Sequence, residues 1–184
     1  MSRKKEERLL FTDITRCMAC HSCELACAVA HSASKALAEA IQEEPRPSAR
    51  LTIETAGDVP VPLQCRHCED APCVAVCPTK AIEKVGPNQP VILHEDRCIG
   101  CKFCVVVCPF GVMTLRRDGK VALKCDLCIE RLEAGKDPAC VSACPTGALH
   151  FEIVEDWLAR RRKAAAEEMK SAEGKAEKVR SESK

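Results

Sequence analysis

The residues in this chain that can do chemistry are its thiols. Of 184 residues 16 are cysteine, and each belongs to one of four quartets: Cys17, Cys20, Cys23, Cys27; Cys65, Cys68, Cys73, Cys77; Cys98, Cys101, Cys104, Cys108; and Cys125, Cys128, Cys140, Cys144. In the last three the final cysteine is followed by proline (Pro78, Pro109, Pro145); in the first it is followed by Ala28. Thiolates are soft metal ligands, and four per group is the donor count of one metal centre per group. The repeat organises the chain better than any hydrophobic pattern does.

Spacing narrows the choice of metal. The third quartet reads C-x2-C-x2-C-x3-C-P, the bacterial ferredoxin run, in which the fourth cysteine serves the other cluster of a pair. Three thiolates in one tight loop reach three corners of a [4Fe-4S] cube. The x3 step carries the fourth one helical turn onward, to face a second cube, and the proline then ends the helix. Zinc is the alternative, since the thiolates would also make four tetrahedral sites. A zinc site, however, is built around one ion from two C-x2-C knuckles. A third thiolate three residues further on, as in Cys17/Cys20/Cys23 and Cys98/Cys101/Cys104, suits a larger polynuclear guest. A zinc-stapled, non-redox interaction module would be colourless, and an iron-sulfur protein brown.

Composition excludes other classes. With 28 basic and 27 acidic residues the net charge is +1, which leaves no electrostatic footprint for nucleic acid. The apolar run Leu9-Leu10-Phe11 stops at Thr12, too short for a secretory segment, and Val105–Phe110 is far below a membrane span. The expected location is the cytoplasm, where thiols stay reduced and cysteines bind metal rather than form disulfides. Four Phe, one Trp and no Tyr leave few of the large side chains that dominate core burial. There is no G-x-G-x-x-G, P-loop, C-x3-C-x2-C or recognisable catalytic constellation. The chain reads as a carrier of electrons for another protein's chemistry, not an enzyme by itself.

The elements that must position the cysteines are short. Ala81–Val85 and Val91–Leu93 flank a Gly86–Pro90 turn, Val112–Leu115 and Val121–Leu123 flank Arg116–Gly119, and Ala148–Ile153 reads as a strand. Gly100 and Gly111 lie where the backbone turns sharply or passes close to a cluster. Residues 28–64 combine a helical segment, Ala33–Gln42, with a strand, Leu51–Thr55; they form either a surface excursion that meets a partner or a connecting loop. From Glu155 onward a charged helix carries the seam Ala165, Met169, Ala172, Ala176 and Val179, interrupted by Gly174. It reads as a solvated tail or as a helix docking on a partner or on copies of the chain. His21 and His67 sit inside quartets as groups near a cluster rather than ligands, and His31, His94 and His150 read as surface or packing residues. Arg66, Arg97, Lys102 and Lys124 place positive charge beside ligands, which favours the reduced cluster.

The four quartets in this order, with x4 in the second and x11 in the fourth, resemble the four-cluster ferredoxin-like subunits of multisubunit oxidoreductases. Such subunits occur in dimethyl-sulfoxide-reductase-type molybdenum enzymes, formate hydrogenlyase, hydrogen-dependent carbon dioxide reductase and tungsten aldehyde oxidoreductases, and with carbon monoxide dehydrogenase. The likeness runs from about Phe11 to Phe151 and is carried by Cys23-Glu24-Leu25-Ala26-Cys27, Cys65-Arg66-His67-Cys68-Glu69-Asp70-Ala71-Pro72-Cys73 and Lys124-Cys125-Asp126-Leu127-Cys128. It implies an α+β fold of two ferredoxin-like two-cluster modules with short helices and β-hairpins. The inner module would span 65–117, the outer module 1–64 with 118–153, and the charged helix 154–184. It also implies four [4Fe-4S] clusters with crossed ligands. These are Cys17, Cys20, Cys23 and Cys144; Cys125, Cys128, Cys140 and Cys27; Cys65, Cys68, Cys73 and Cys108; and Cys98, Cys101, Cys104 and Cys77. The implied partners are a catalytic metal subunit, of the carbon monoxide dehydrogenase, formate dehydrogenase, hydrogenase or aldehyde oxidoreductase type, and a second redox protein. A free diffusible polyferredoxin is the other reading of the same clusters.

Overall fold

Cysteines spaced two to four residues apart leave the chain little room for long elements, and the structure is a succession of single turns and short hairpins. A computed structural model describes residues 8–84, 86 and 89–182, the last ten by their backbone alone. In chain order the elements are β1 (Arg8–Thr12), α1 (Ser22–Ala30), α2 (Leu37–Ala40), β2 (Leu51–Ala56), β3 (Val59–Gln64), α3 (Pro72–Ala75), β4 (Ile82–Lys84), β5 (Val91–Leu93), α4 (Phe103–Val107), β6 (Thr114–Leu115), β7 (Ala122–Leu123), α5 (Ile129–Glu133), α6 (Ala139–Ser142), β8 (Leu149–Ile153) and α7 (Val154–Glu182). The strands form two-stranded sheets: β1 with β8, β2 with β3, β4 with β5, and β6 with β7.

The two expected hairpins are present. β4 and β5 pair antiparallel with Ile82 opposite Leu93 and Lys84 opposite Val91; Val85, Pro87 and Asn88 of the expected strand end and turn lie outside the described residues. β6 and β7 pair Thr114 with Leu123 and Leu115 with Ala122. Their turn is closed by Asp118, whose Oδ1 accepts the Lys120 amide at 2.9 Å, and by Gly119 at φ 69°.

The stretch 28–64 is more ordered than a plain connection. Its helix is a single turn, Leu37–Ala40, shorter than expected, and its strand β2 is joined by β3, which the sequence concealed behind Pro60 and Pro62. Those prolines oppose Thr55 and Ile53 at alternate positions, so their missing N–H groups fall on the one side of the strand that makes no ladder bonds. The excursion folds back on α1: the Ile53 amide donates to Glu24 Oε1 at 2.7 Å, and the Arg50 amide to Cys27 Sγ at 3.3 Å.

Two units are distinguished. In the unit Leu10–Phe151 apolar burial falls into two clusters, each built partly of cysteine. One gathers Leu10, Cys23, Cys27, Leu51, Leu127, Cys140, Leu149 and Phe151, with Cys125 and Cys144 packed against it. The other gathers Ile82, Val91, Cys104, Met113 and Ala122, with Cys73, Cys77, Cys98 and Cys108 against it. The second unit comprises the segments Met1–Leu9 and Glu152–Lys184, and its main described element is α7, which continues through Gly174 without a break. Glu155 and Asp156 in its first turn complement the helix dipole, and Arg160 pairs with Glu152 and lies 5.4 Å from the Trp157 ring centroid. Ala165, Met169 and Ala172 of the seam are exposed; the side chains of Ala176 and Val179 lie outside the described residues. No helix among the described residues is long and apolar enough to cross a membrane.

Gly100 shows how tightly the loops are drawn. It sits at φ +67°, and a Cβ there would stand 2.3 Å from the Lys120 carbonyl oxygen, whereas a Cβ at Gly111 (φ +62°) would meet nothing within 4 Å. Both positions oppose an L side chain, but only Gly100→Ala adds a backbone clash. We expect Gly100→Ala to lose about 1–3 kcal/mol beyond any loss in Gly111→Ala, measured by anaerobic denaturant unfolding; equal losses in the two variants would contradict this.

Candidate metal centres

The loops that carry the cysteines are held in backbone conformations that L residues rarely adopt. Ala19 and His21 in the first quartet, His67 in the second, Lys102 in the third, and Leu127 and Cys128 in the fourth all have positive φ. A single residue in that region costs about 1–2 kcal/mol, so the surroundings must hold the loops in place. The turn aims amides at sulfur: His67 N–H donates to Cys65 Sγ at 3.4 Å, Leu127 N–H to Cys125 Sγ at 3.4 Å, and Ala148 N–H to Cys144 Sγ at 3.1 Å.

These loops bring thiols from different quartets together. One void is lined by Cys17, Cys20, Cys23 and Cys144. A second is lined by Cys65, Cys68, Cys73 and Cys108, beside Val91 and Phe110. A third is lined by Cys77, Cys98, Cys101 and Cys104. Each takes three cysteines from one quartet and its fourth from another. Of the remaining four, Cys27, Cys125 and Cys140 meet in the first apolar cluster. Cys128 lies with His31 and Asp126, their ligand atoms all within 4.8 Å of one another.

The electrostatics of the thiols divides by position. Burial first, and then the negative charge of neighbouring groups, raises Cys23 and Cys104 to about 11 and Cys125 to about 12, and Cys140 rises further still. For Cys77 and Cys144 burial acts in the same upward direction, but neighbouring amides and the hydroxyls of Thr79 and Thr146 outweigh it and hold both thiols below their usual value. The last cysteine of the second and fourth quartets thus gives up its proton more readily than an ordinary thiol. The buried ones become thiolates only when a metal takes the place of the proton. Four sulfurs around one small void, amide donors on the sulfurs and an apolar lining fit a metal-sulfur guest.

Around the fourth quartet stands a network that sequence reading did not find. His31 donates through Nδ1 to the Cys27 carbonyl at 2.7 Å and through Nε2 to Asp126 Oδ1 at 3.0 Å. Asp126 Oδ1 also accepts the Cys128 amide at 2.8 Å, and Oδ2 accepts Arg50 Nη1 at 2.7 Å. Burial opposes charge on His31, yet its bonds to Asp126, Cys128 and Cys27 hold the imidazole protonated, with its pKa raised to about 12. Burial likewise opposes the Asp126 carboxylate, and His31 and Arg50 hold it ionised, well below the usual carboxylate range. His31 is therefore a packed, charged group and not a surface residue. Its charge partner, Asp126, is 95 positions away, and the one local signal was an acid between two cysteines.

The other histidines and cations separate by burial. His21 is exposed and pairs with Glu24 at 2.8 Å. His94 pairs with Glu83 at 2.6 Å. His67 is buried, kept neutral first by burial and then by the charge of Lys124, with Nδ1 accepting the Val91 amide at 3.0 Å. Arg66, Arg97 and Lys102 are exposed, whereas Lys124 is buried.

Comparison with known proteins finds iron-sulfur proteins. Residues 59–154 match the family model described as 4Fe-4S dicluster domain. The chain is similar to an iron-sulfur protein of Rhodospirillum rubrum, 41% identical over 177 residues that cover 90% of this chain and 92% of that protein. It is similar to the thiosulfate reductase electron transfer subunit PhsB of Salmonella typhi, 35% identical over 177 residues, 93% of this chain and 91% of PhsB. The electron transport protein HydN of Escherichia coli K12 is 38% identical over 157 residues, covering 77% of this chain and 86% of HydN.

Proposed function

The chain belongs to the 4Fe-4S dicluster domain family of iron-sulfur electron-transfer proteins, and on that premise we propose that it holds four [4Fe-4S] clusters and relays single electrons between a catalytic metal subunit and a second redox protein. The observation that carries this reading is the gathering of four thiols around each of three voids. On it we assign Cys17, Cys20, Cys23 and Cys144 to one cluster, Cys65, Cys68, Cys73 and Cys108 to another, and Cys98, Cys101, Cys104 and Cys77 to a third. The fourth would be held by Cys125, Cys128, Cys140 and Cys27, with His31 and Asp126 bracing Cys27 and Cys128 from outside. The crossing ties quartets one and four into an outer module, 1–64 with 118–153, and quartets two and three into an inner module, 65–117.

A bound [4Fe-4S] cluster supplies one-electron chemistry at a potential set by charge, sulfur hydrogen bonds and exposure. The chain's own residues do the rest: amides at Cys65, Cys125 and Cys144 stabilise charge on sulfur, and the apolar linings exclude water. Cys20 and Cys101 are the exposed thiols, and exposed apolar residues flank them: Met18 by the first, Ile99 and Phe103 by the second. These two places suit the approach of partners' redox groups. The partner is a catalytic subunit of the carbon monoxide dehydrogenase, formate dehydrogenase, hydrogenase or aldehyde oxidoreductase type. PhsB and HydN are named as electron-transfer proteins, not as catalysts. Its place is the cytoplasm, where thiols stay reduced and available to metal.

Anaerobic purification is expected to yield about sixteen iron and about sixteen sulfide per chain, four of each per cubane, in a brown protein that dithionite bleaches. Colourless protein with stoichiometric zinc and no sulfide would replace this reading with a zinc-stapled module. We assign α7 to docking, on a partner or on further copies of the chain. Truncation after Ile153 should keep the iron and lose the assembly; unchanged assembly would return α7 to a solvated tail.

A further inference from the structure

Among the cations singled out beside ligands, Lys124 differs in kind. Arg66, Arg97 and Lys102 are exposed, so water and salt screen them. Lys124 is 2% exposed, one of the largest fully buried side chains in the molecule. Its Nζ donates to two backbone carbonyls, that of Val91 and, at 2.6 Å, that of Cys125. Among the described residues no carboxylate lies within ion-pair distance of it. The nearby acid, Asp126, is already engaged by His31 and Arg50, and the adjacent His67 is neutral. Carbonyl dipoles take two of the ammonium's three hydrogen bonds but do not neutralise its charge, and a buried charge without a counter-charge is strongly unfavourable. A protein that keeps one there has an anion for it.

The position says which anion. Val91, the first acceptor, lines the void of Cys65, Cys68, Cys73 and Cys108. Cys125, the second, is the first cysteine of the fourth quartet. Through these two carbonyls it joins the lining of one inner-module site to the first cysteine of an outer-module site.

From this we infer that Lys124 is a positioning residue, the shared buried counter-cation of two clusters, the one held by Cys65, Cys68, Cys73 and Cys108 and the one held by Cys27, Cys125, Cys128 and Cys140. The inference rests on the four-cluster reading and adds that the two modules are coupled through one charge. Because the reduced form of each cluster is the more negative, Lys124 raises both potentials above what they would be without it. An electron at the junction of the modules is then favoured over one at either exposed end.

The test is redox-titrated electron paramagnetic resonance on the full chain and on Lys124→Arg, Lys124→Gln and Lys124→Met. In the two neutral variants, two of the four clusters should become harder to reduce, their reduced-to-oxidised ratio falling about tenfold at a given potential, which is 59 mV for one electron. The other two should hold, and Lys124→Arg should stay close to the parent chain. Should a neutral variant load incompletely, it should lose the junction pair and retain about eight iron. Potentials that move in none of the clusters or equally in all four, or loss of the exposed pair, would overturn the inference. Iron and sulfide counts on the parent chain test the four-cluster reading separately, so the two can fail independently.

Discussion

The bond on which the rest of this molecule depends is that between sulfur and metal. With four Phe, one Trp and no Tyr, the chain cannot build a core of large carbon side chains, and cysteine itself makes up part of both apolar clusters. Left as thiols, Cys23, Cys104, Cys125 and Cys140 are held strongly protonated by burial. The loops around them also hold several non-glycine residues at positive φ. Neither condition favours folding. A metal that takes four thiolates offsets both, because binding to a site absent from the unfolded chain is itself folding free energy. Staple and cofactor are then the same object.

What was legible in advance was local. The quartets and the β4–β5 and β6–β7 hairpins all depend on residues close to one another in the chain, where spacing and turn chemistry act directly. β3 escaped notice because Pro60 and Pro62 argue against a strand unless they fall on the side that needs no amide, and only its pairing with β2 decides that. The network of His31, Asp126 and Arg50 was invisible for a related reason. Each residue is unremarkable alone, and they meet only once the outer quartets approach. Burial of Lys124 belongs to the same class: sequence placed it beside a ligand with three other cations, and packing alone set it apart.

Polar groups around the sulfurs follow one logic. Amides supply partial positive charge to Cys65, Cys125 and Cys144, His31 with Asp126 braces Cys27 and Cys128, and Lys124 supplies a full charge beside Cys125. Net charge and sulfur hydrogen bonds are the terms that set cluster potential, so the polar groups that hold the loops in shape are also those that tune the electron carrier.

Crossed ligation is the claim from which the others descend, and the most direct test is to ask which cluster a crossing cysteine serves. Cys77→Ser can be compared by Mössbauer and electron paramagnetic resonance spectroscopy with Cys101→Ser and Cys68→Ser, each purified anaerobically. The account predicts that Cys77→Ser reproduces the spectrum of Cys101→Ser, perturbing the cluster of Cys98, Cys101 and Cys104. If it instead reproduced that of Cys68→Ser, each quartet would be serving its own cluster, and the crossed arrangement would be wrong.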